Sequence, residues 1–131
     1  MAAAESYPDD LRYYREHDWA RVEDGDAVLG ITWFAADALG ELVHFEPPAT
    51  GATVTRDQSY GEVESVKAVS DLIAPLSGEV LEINQKVVDA PETVNEDPYG
   101  DGWLIRIRMT NPGERDQLLD LAAYKQLLAE Q

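Results

Sequence analysis

Short runs of β-branched and aromatic residues, separated by Gly, Pro and Asp-Gly, constrain this chain more than any other feature. Val, Ile and Tyr fit a pleated, half-buried surface, so such runs read as strands. The most telling pair is residues 60–66 and 68–73, which meet at Lys67. The chain has three lysines, Lys67, Lys86 and Lys125. One scarce primary amine therefore sits at the corner between two strands. A lone lysine in a hairpin is most often an ordinary surface residue. What sets this one apart is its octet, Glu64-Ser65-Val66-Lys67-Ala68-Val69-Ser70-Asp71.

The rest of the chain follows the same pattern. Residues 19–22 and 27–31 flank Glu23-Asp24-Gly25-Asp26, a hairpin signal because Asp-Gly takes up positive φ cheaply. Residues 32–40 read as a short helix, capped by Thr32 and closed by Gly40 in the left-handed conformation. Residues 41–46 form a strand that stops at Pro47-Pro48, Gly51 marks a turn, and residues 79–84 form a further strand. Residues 89–102 read as a long acidic loop. Along residues 103–109, Trp103, Ile105, Ile107 and Met109 share one face, leaving Arg106 and Arg108 on the solvated one. Residues 1–10 read as a loose acidic lead and residues 111–130 as a helical region. Its expected cap is Asn111, with Pro112 at the first position and Glu114 completing a capping box. Leu118, Leu121, Tyr124 and Leu128 make its apolar stripe. A faint echo links residues 40–46 with 78–84, which would suit a two-sheet sandwich. The expectation is one mainly β domain over residues 1–131.

Composition removes whole classes of function. With 131 residues the chain can bury one core. A formal net charge of −16 repels nucleic acid and anionic membrane and favours partners with basic patches. There is no cysteine, so disulfides, thiolate metal sites and thiol catalysis by the chain itself are excluded. No apolar run approaches the roughly 20 residues that span a bilayer, and residues 1–10 carry no signal- or transit-peptide pattern. The chain reads as cytoplasmic.

Catalytic motifs are scarce. The two histidines are His17 and His44. His17 and Asp18 are adjacent, and neighbours along a strand point to opposite faces, which argues against an acid–base pair. His44 reads as structural. Glu96, Asp97 and Asp101 do not have calcium-loop spacing. No phosphate loop, nucleophile elbow or paired-histidine metal motif is present. A carrier or binding module is favoured over an enzyme.

The octet resembles the lipoyl-attachment segment of the glycine cleavage H-protein family. Collinear matches run from about Tyr13 to the C-terminal helix: His17-Asp18-Trp19, Gly30-Ile31-Thr32, Ala38-Leu39-Gly40, Ser77-Gly78-Glu79-Val80 and residues 94–105. Asp18 stands where the family usually has Glu, and Trp33-Phe34 where Asp-Tyr is more usual. The resemblance implies a lipoyl-domain-like hybrid barrel-sandwich of two antiparallel sheets, with a short internal helix and a C-terminal helix. It implies lipoate in amide linkage to Lys67, supplying sulfur chemistry to a cysteine-free chain. The implied partners are a pyridoxal-phosphate glycine decarboxylase, an aminomethyltransferase, dihydrolipoamide dehydrogenase and a lipoate-attaching enzyme, with the carrier a monomer. Asp18 and Asp71 would line the cleft that shelters the loaded arm, or be solvated acids. Glu64 would help the attaching enzyme read the turn, or be a plain surface residue. Four alternatives stand beside this reading: a lipoate relay to other enzymes, an enzyme built on His17 and Asp18, an unmodified homologue, and a biotinyl domain. The last is disfavoured because Val66 and Ala68, rather than Met, flank the lysine.

Overall fold

A computed structural model describes residues 2–131; Met1 lies outside the described residues. Among the described residues nine strands form: β1 (Arg12–Tyr13), β2 (Asp18–Glu23), β3 (Asp26–Ile31), β4 (Leu42–Glu46), β5 (Thr53–Val54), β6 (Ser59–Ser65), β7 (Val69–Ile73), β8 (Gly78–Ile83) and β9 (Ile105–Met109). They make two antiparallel sheets, one in the order β1-β2-β3-β9-β8-β5 and one in the order β4-β6-β7. Alternation explains the core. Leu29, Ile31, Val80, Ile105 and Ile107 from the larger sheet share one buried cluster with Phe45, Val63 and Leu72 from the smaller. Each sheet keeps its own two edge strands. The expected barrel-sandwich is therefore an open sandwich rather than a closed barrel. On β9 the arginines face out to carboxylates, Arg106 to Glu23 at 2.8 Å and Arg108 to Glu79 at 3.3 Å.

The helices are short. Helix α1 (Trp33–Leu39) is capped by Thr32, whose Oγ1 accepts the Ala35 N–H at 3.4 Å. Gly40 closes it at φ 86°, ψ −168°. That is positive φ as expected, but an extended, glycine-only region rather than the left-handed helical one. The stretch expected as a loop carries structure: α2 (Gln85–Asp89) runs up to its start and α3 (Thr93–Glu96) lies within it. Val87 and Val94 are fully buried, and the Asn84 amide donates to the carbonyls of Asp101 and Trp103, both at 2.7 Å. Two apolar anchors and one asparagine order a segment whose acids and prolines suggested a loop.

The C-terminal region also differs from expectation. Pro112–Gln117 is a 3₁₀ turn, and Asn111 makes no side-chain capping bond. Leu118 is extended, and Leu119 then bridges Tyr13 through two backbone hydrogen bonds of 2.8 and 2.7 Å. Only afterwards does α4 (Leu121–Ala129) begin, capped by Asp120. Glu114 instead accepts the Ser77 N–H at 2.7 Å and its hydroxyl at 3.0 Å. Residues 2–10 have no regular structure, yet they are pinned: the Ala3 N–H donates to the Asn95 carbonyl at 2.9 Å, and the Trp33 indole N–H to the Ala3 carbonyl at 2.8 Å.

Bulges tune the sheets. Each of β4, β6 and β8 carries one extra residue against its partner: Val43, Tyr60 and Leu81. Val43 and Leu81 occupy equivalent places in the two echoing segments, so that echo is structural. No helix among the described residues is long and apolar enough to cross a membrane.

Candidate functional site

Residues 65–68 form the turn that joins β6 to β7. The Ser65 N–H donates to the Ala68 carbonyl at 2.8 Å. The buried Ser65 hydroxyl accepts the N–H groups of Lys67 at 3.2 Å and Ala68 at 3.1 Å. This is the local side-chain-to-backbone bonding that lets serine hold a turn. The Val66 N–H reaches the Glu41 carbonyl at 3.4 Å, tying the turn to the start of β4. Lys67 is the exposed tip. Its stem lies over Gly40: a Cβ built at Gly40 would stand 3.5 Å from Lys67 Cε and 4.0 Å from Nζ. Among the described residues Lys67 Nζ makes no ion pair. The outcome is an available amine on a turn held by these four hydrogen bonds.

The other candidate residues are dispersed. Glu64 and Asp71 are exposed on the same hairpin as Lys67. In register Glu64 lies between His44 and Val69, and Asp71 lies opposite Glu62. Asp18 lies on β2 in the other sheet and is 3% exposed. The Tyr60 hydroxyl is its one recorded side-chain partner, at a long 3.5 Å. Burial holds the Asp18 carboxyl well above the ordinary carboxylate range, partly offset by that hydrogen bond. Gly40 also rims a cavity of about 150 Å³, with Ala36, Asp37, Glu41, Glu92 and Asn95 in its wall.

His17 and Asp18 share no hydrogen bond. His17 Nδ1 meets the Tyr124 hydroxyl at 2.8 Å, and that hydroxyl meets Thr32 Oγ1 at 2.8 Å. Burial lowers the His17 pKa. The Tyr124 hydroxyl of α4 thus links His17 to the Thr32 cap of α1, and His17 and Asp18 form no acid–base pair. No group of three or more His, Cys, Asp or Glu among the described residues is placed to hold a metal ion. Sequence reasoning missed the hub role of Ser65 and the seat that Gly40 provides. A serine two residues before the lysine was a signal for the first; nothing local signalled the second.

Comparison with known proteins decides the family. A family model described as glycine cleavage H-protein matches residues 11–131. The chain belongs to the glycine cleavage H-protein family. Two curated relatives named glycine cleavage system H protein illustrate how evenly the match extends. One, from Symbiobacterium thermophilum, is 50% identical over 117 residues, covering 89% of this chain and 91% of its own. The other, from Anaeromyxobacter sp. (strain K), is 52% identical over 124 residues, covering 95% and 97%. A crystal structure of an H protein from Mycobacterium marinum aligns with TM-score 0.87 and 43% identity, over 94% of this chain and 99% of that one. The two-sheet fold with its C-terminal helix is the H-protein fold. Like its family, this H-protein has a lipoyl-carrier role in the glycine cleavage system.

Proposed function

We propose that Lys67 Nζ is the point at which lipoate is attached, in amide linkage. The observation that carries this is the presented amine: exposed, unpaired, on a hydrogen-bonded turn, its stem seated on Gly40. Lys86, by contrast, is paired with Asp101 at 2.7 Å. When bound, lipoate supplies a dithiolane able to accept and release a group and two electrons, which a cysteine-free chain cannot do. The chain's own part is to hold the attachment point still and lend the tether a high local concentration at each docked active site. Acylation removes one positive charge from a chain already at −16.

The partners are those of the glycine cleavage system: the pyridoxal-phosphate decarboxylase, the aminomethyltransferase and dihydrolipoamide dehydrogenase. The chain itself is a monomeric carrier rather than a catalyst. Asp71, exposed on β7, favours a cationic group brought near the hairpin. Glu64 serves the attaching enzyme. Peptide mass spectrometry of protein from its native host tests the central assignment. A lipoyl mass increment on Lys67, with Lys86 and Lys125 bare, is the expected result. A bare Lys67 in lipoate-replete cells, or full carrier activity of Lys67→Arg, would overturn it.

A further inference from the structure

Asn95 sits on α3, fixed in place by the buried Thr93 and Val94 beside it. Its side chain bridges both ends of a three-residue segment. Asn95 Nδ2 donates to the Gly40 carbonyl at 2.9 Å, and Asn95 Oδ1 accepts the Leu42 N–H at 2.9 Å. Between those ends lies Glu41, whose carbonyl accepts the Val66 N–H of the lysine turn at 3.4 Å. Gly40 itself lies under the Lys67 stem. Both contacts, Val66 on Glu41 and the Lys67 stem on Gly40, therefore fall on the segment that one amide clamps. Asparagine can do this because a single planar group carries a donor and an acceptor.

The main chain of Asn95 is held in turn. Helix α3 is a single turn, so its last carbonyls have no partner within the helix. The Asn95 carbonyl accepts the Ala3 N–H at 2.9 Å instead. The Ala3 carbonyl accepts the Trp33 indole N–H at 2.8 Å, and the Ser6 carbonyl accepts the Tyr99 hydroxyl at 2.7 Å. Residues 2–8 thus form a strap between α3 and the start of α1, and Ala2 and Asn95 both line the cavity beside Gly40. Trp33 stands where Asp is more usual in the family, and a carboxylate has no N–H to offer the Ala3 carbonyl.

Resting on the assignment of Lys67 as the modified residue, we propose that Asn95 is a positioning residue for the arm. It fixes the Gly40–Leu42 segment, and so the direction in which Lys67 leaves the surface, while residues 2–8 are the strap that keeps Asn95 in place. Its influence runs through Gly40, Glu41 and Leu42. The effect is one of preorganisation. A tether whose root is fixed loses less freedom when its tip enters a partner's active site, so docking costs less. Freeing the root restores that cost at each docking, as a higher KM with kcat held. A residue that only stabilised the fold would change the amount of folded chain and leave the KM of the folded molecules as it was.

The test compares Asn95→Ala with the wild-type full chain by native-state hydrogen exchange and by kinetics. The variant should exchange the Leu42 and Val66 amides about tenfold faster. The Leu104 amide, bonded to the Leu29 carbonyl at 2.8 Å beside the larger sheet, should keep its rate. Asn95→Asp keeps the acceptor for the Leu42 N–H and should restore protection at Leu42. With the lipoylated chain as substrate of the glycine decarboxylase, Asn95→Ala should raise KM about fivefold while kcat holds. Ala3→Pro removes the N–H given to Asn95 at the edge of the fold, where the core is not at stake. It should give the same pattern at about threefold, and it keeps the test open should Asn95→Ala fail to fold. Wild-type exchange at Leu42 and Val66, or faster exchange with a wild-type KM, would overturn the positioning role while leaving the Lys67 assignment standing. Equal acceleration at Leu104 would make Asn95 a general stabiliser and overturn that role too. A wild-type chain that takes no lipoate would remove both.

Discussion

Gly40 and Lys67 lie against one another across two loops: a Cβ at the glycine would stand 3.5 Å from Lys67 Cε, at ordinary contact distance. Gly40 ends α1 at φ 86°, ψ −168°, a region essentially closed to other residues. Gly40→Ala should cost about 1–3 kcal/mol of stability from the backbone alone, since its methyl would meet Lys67 Cε only at ordinary contact distance. Urea denaturation checks this. Wild-type stability in this variant would show that the loop relaxes to another path.

Ser65 makes a similar contribution from below the turn. Ser65→Ala removes the acceptor of the Lys67 and Ala68 N–H groups, while the exposed backbone can turn to water. We expect a loss of about 1–2 kcal/mol and faster hydrogen exchange at the amides of Lys67 and Ala68. Unchanged exchange at both would show that the Ser65 N–H to Ala68 carbonyl bond holds the turn alone.

Asp18 should impose a pH dependence of its own. Burial raises its folded pKa above the ordinary 3.8. Below 3.8 the carboxyl is protonated in both states and carries no penalty. As pH rises through that value the unfolded chain releases its proton first and the folded one retains it. Stability therefore falls with rising pH until the folded pKa is passed. The stability difference between Asp18→Asn and the wild type should accordingly move in favour of Asn as pH rises from acid to neutral. Thermal unfolding across that range measures it, and a difference that does not change with pH would mean Asp18 is ionised in the fold. Tyr60→Phe, which removes the one hydrogen bond favouring the carboxylate, should extend the fall to higher pH.

The two candidate caps of the C-terminal region can be separated directly. Asp120→Ala removes the acceptor of the Ala123 N–H at 2.8 Å and should cost about 1 kcal/mol, with fraying of α4 seen by hydrogen exchange. Asn111→Ala should cost much less, since Asn111 makes no capping bond. Equal losses would restore Asn111 as a cap.

Much of this protein is legible in the chain itself. The strands, the Asp24-Gly25 hairpin, the Thr32 cap and the outward arginines of β9 follow from side-chain periodicity and turn chemistry, which are local. The lysine corner followed too, because Lys67 is flanked by strand-forming runs on both sides. The segment at residues 89–102 was misread because its order comes from Val94 and the Asn84 amide, contacts supplied by distant parts of the chain. The start of α4 was displaced for a similar reason: Leu119 is drawn into a bridge with Tyr13, so the helix waits for Asp120.

The sequence by itself determined a mainly β chain with one presented amine and an acidic surface, since composition and alternation need no partner to be read. Only the tertiary structure decided that the Lys67 stem lies over Gly40, that Asp18 is buried, and that Val43 faces water. Those outcomes depend on strand register and on single-residue bulges. A one-residue shift moves side chains between the buried and the solvent face, and only the pairing of one strand with another sets it.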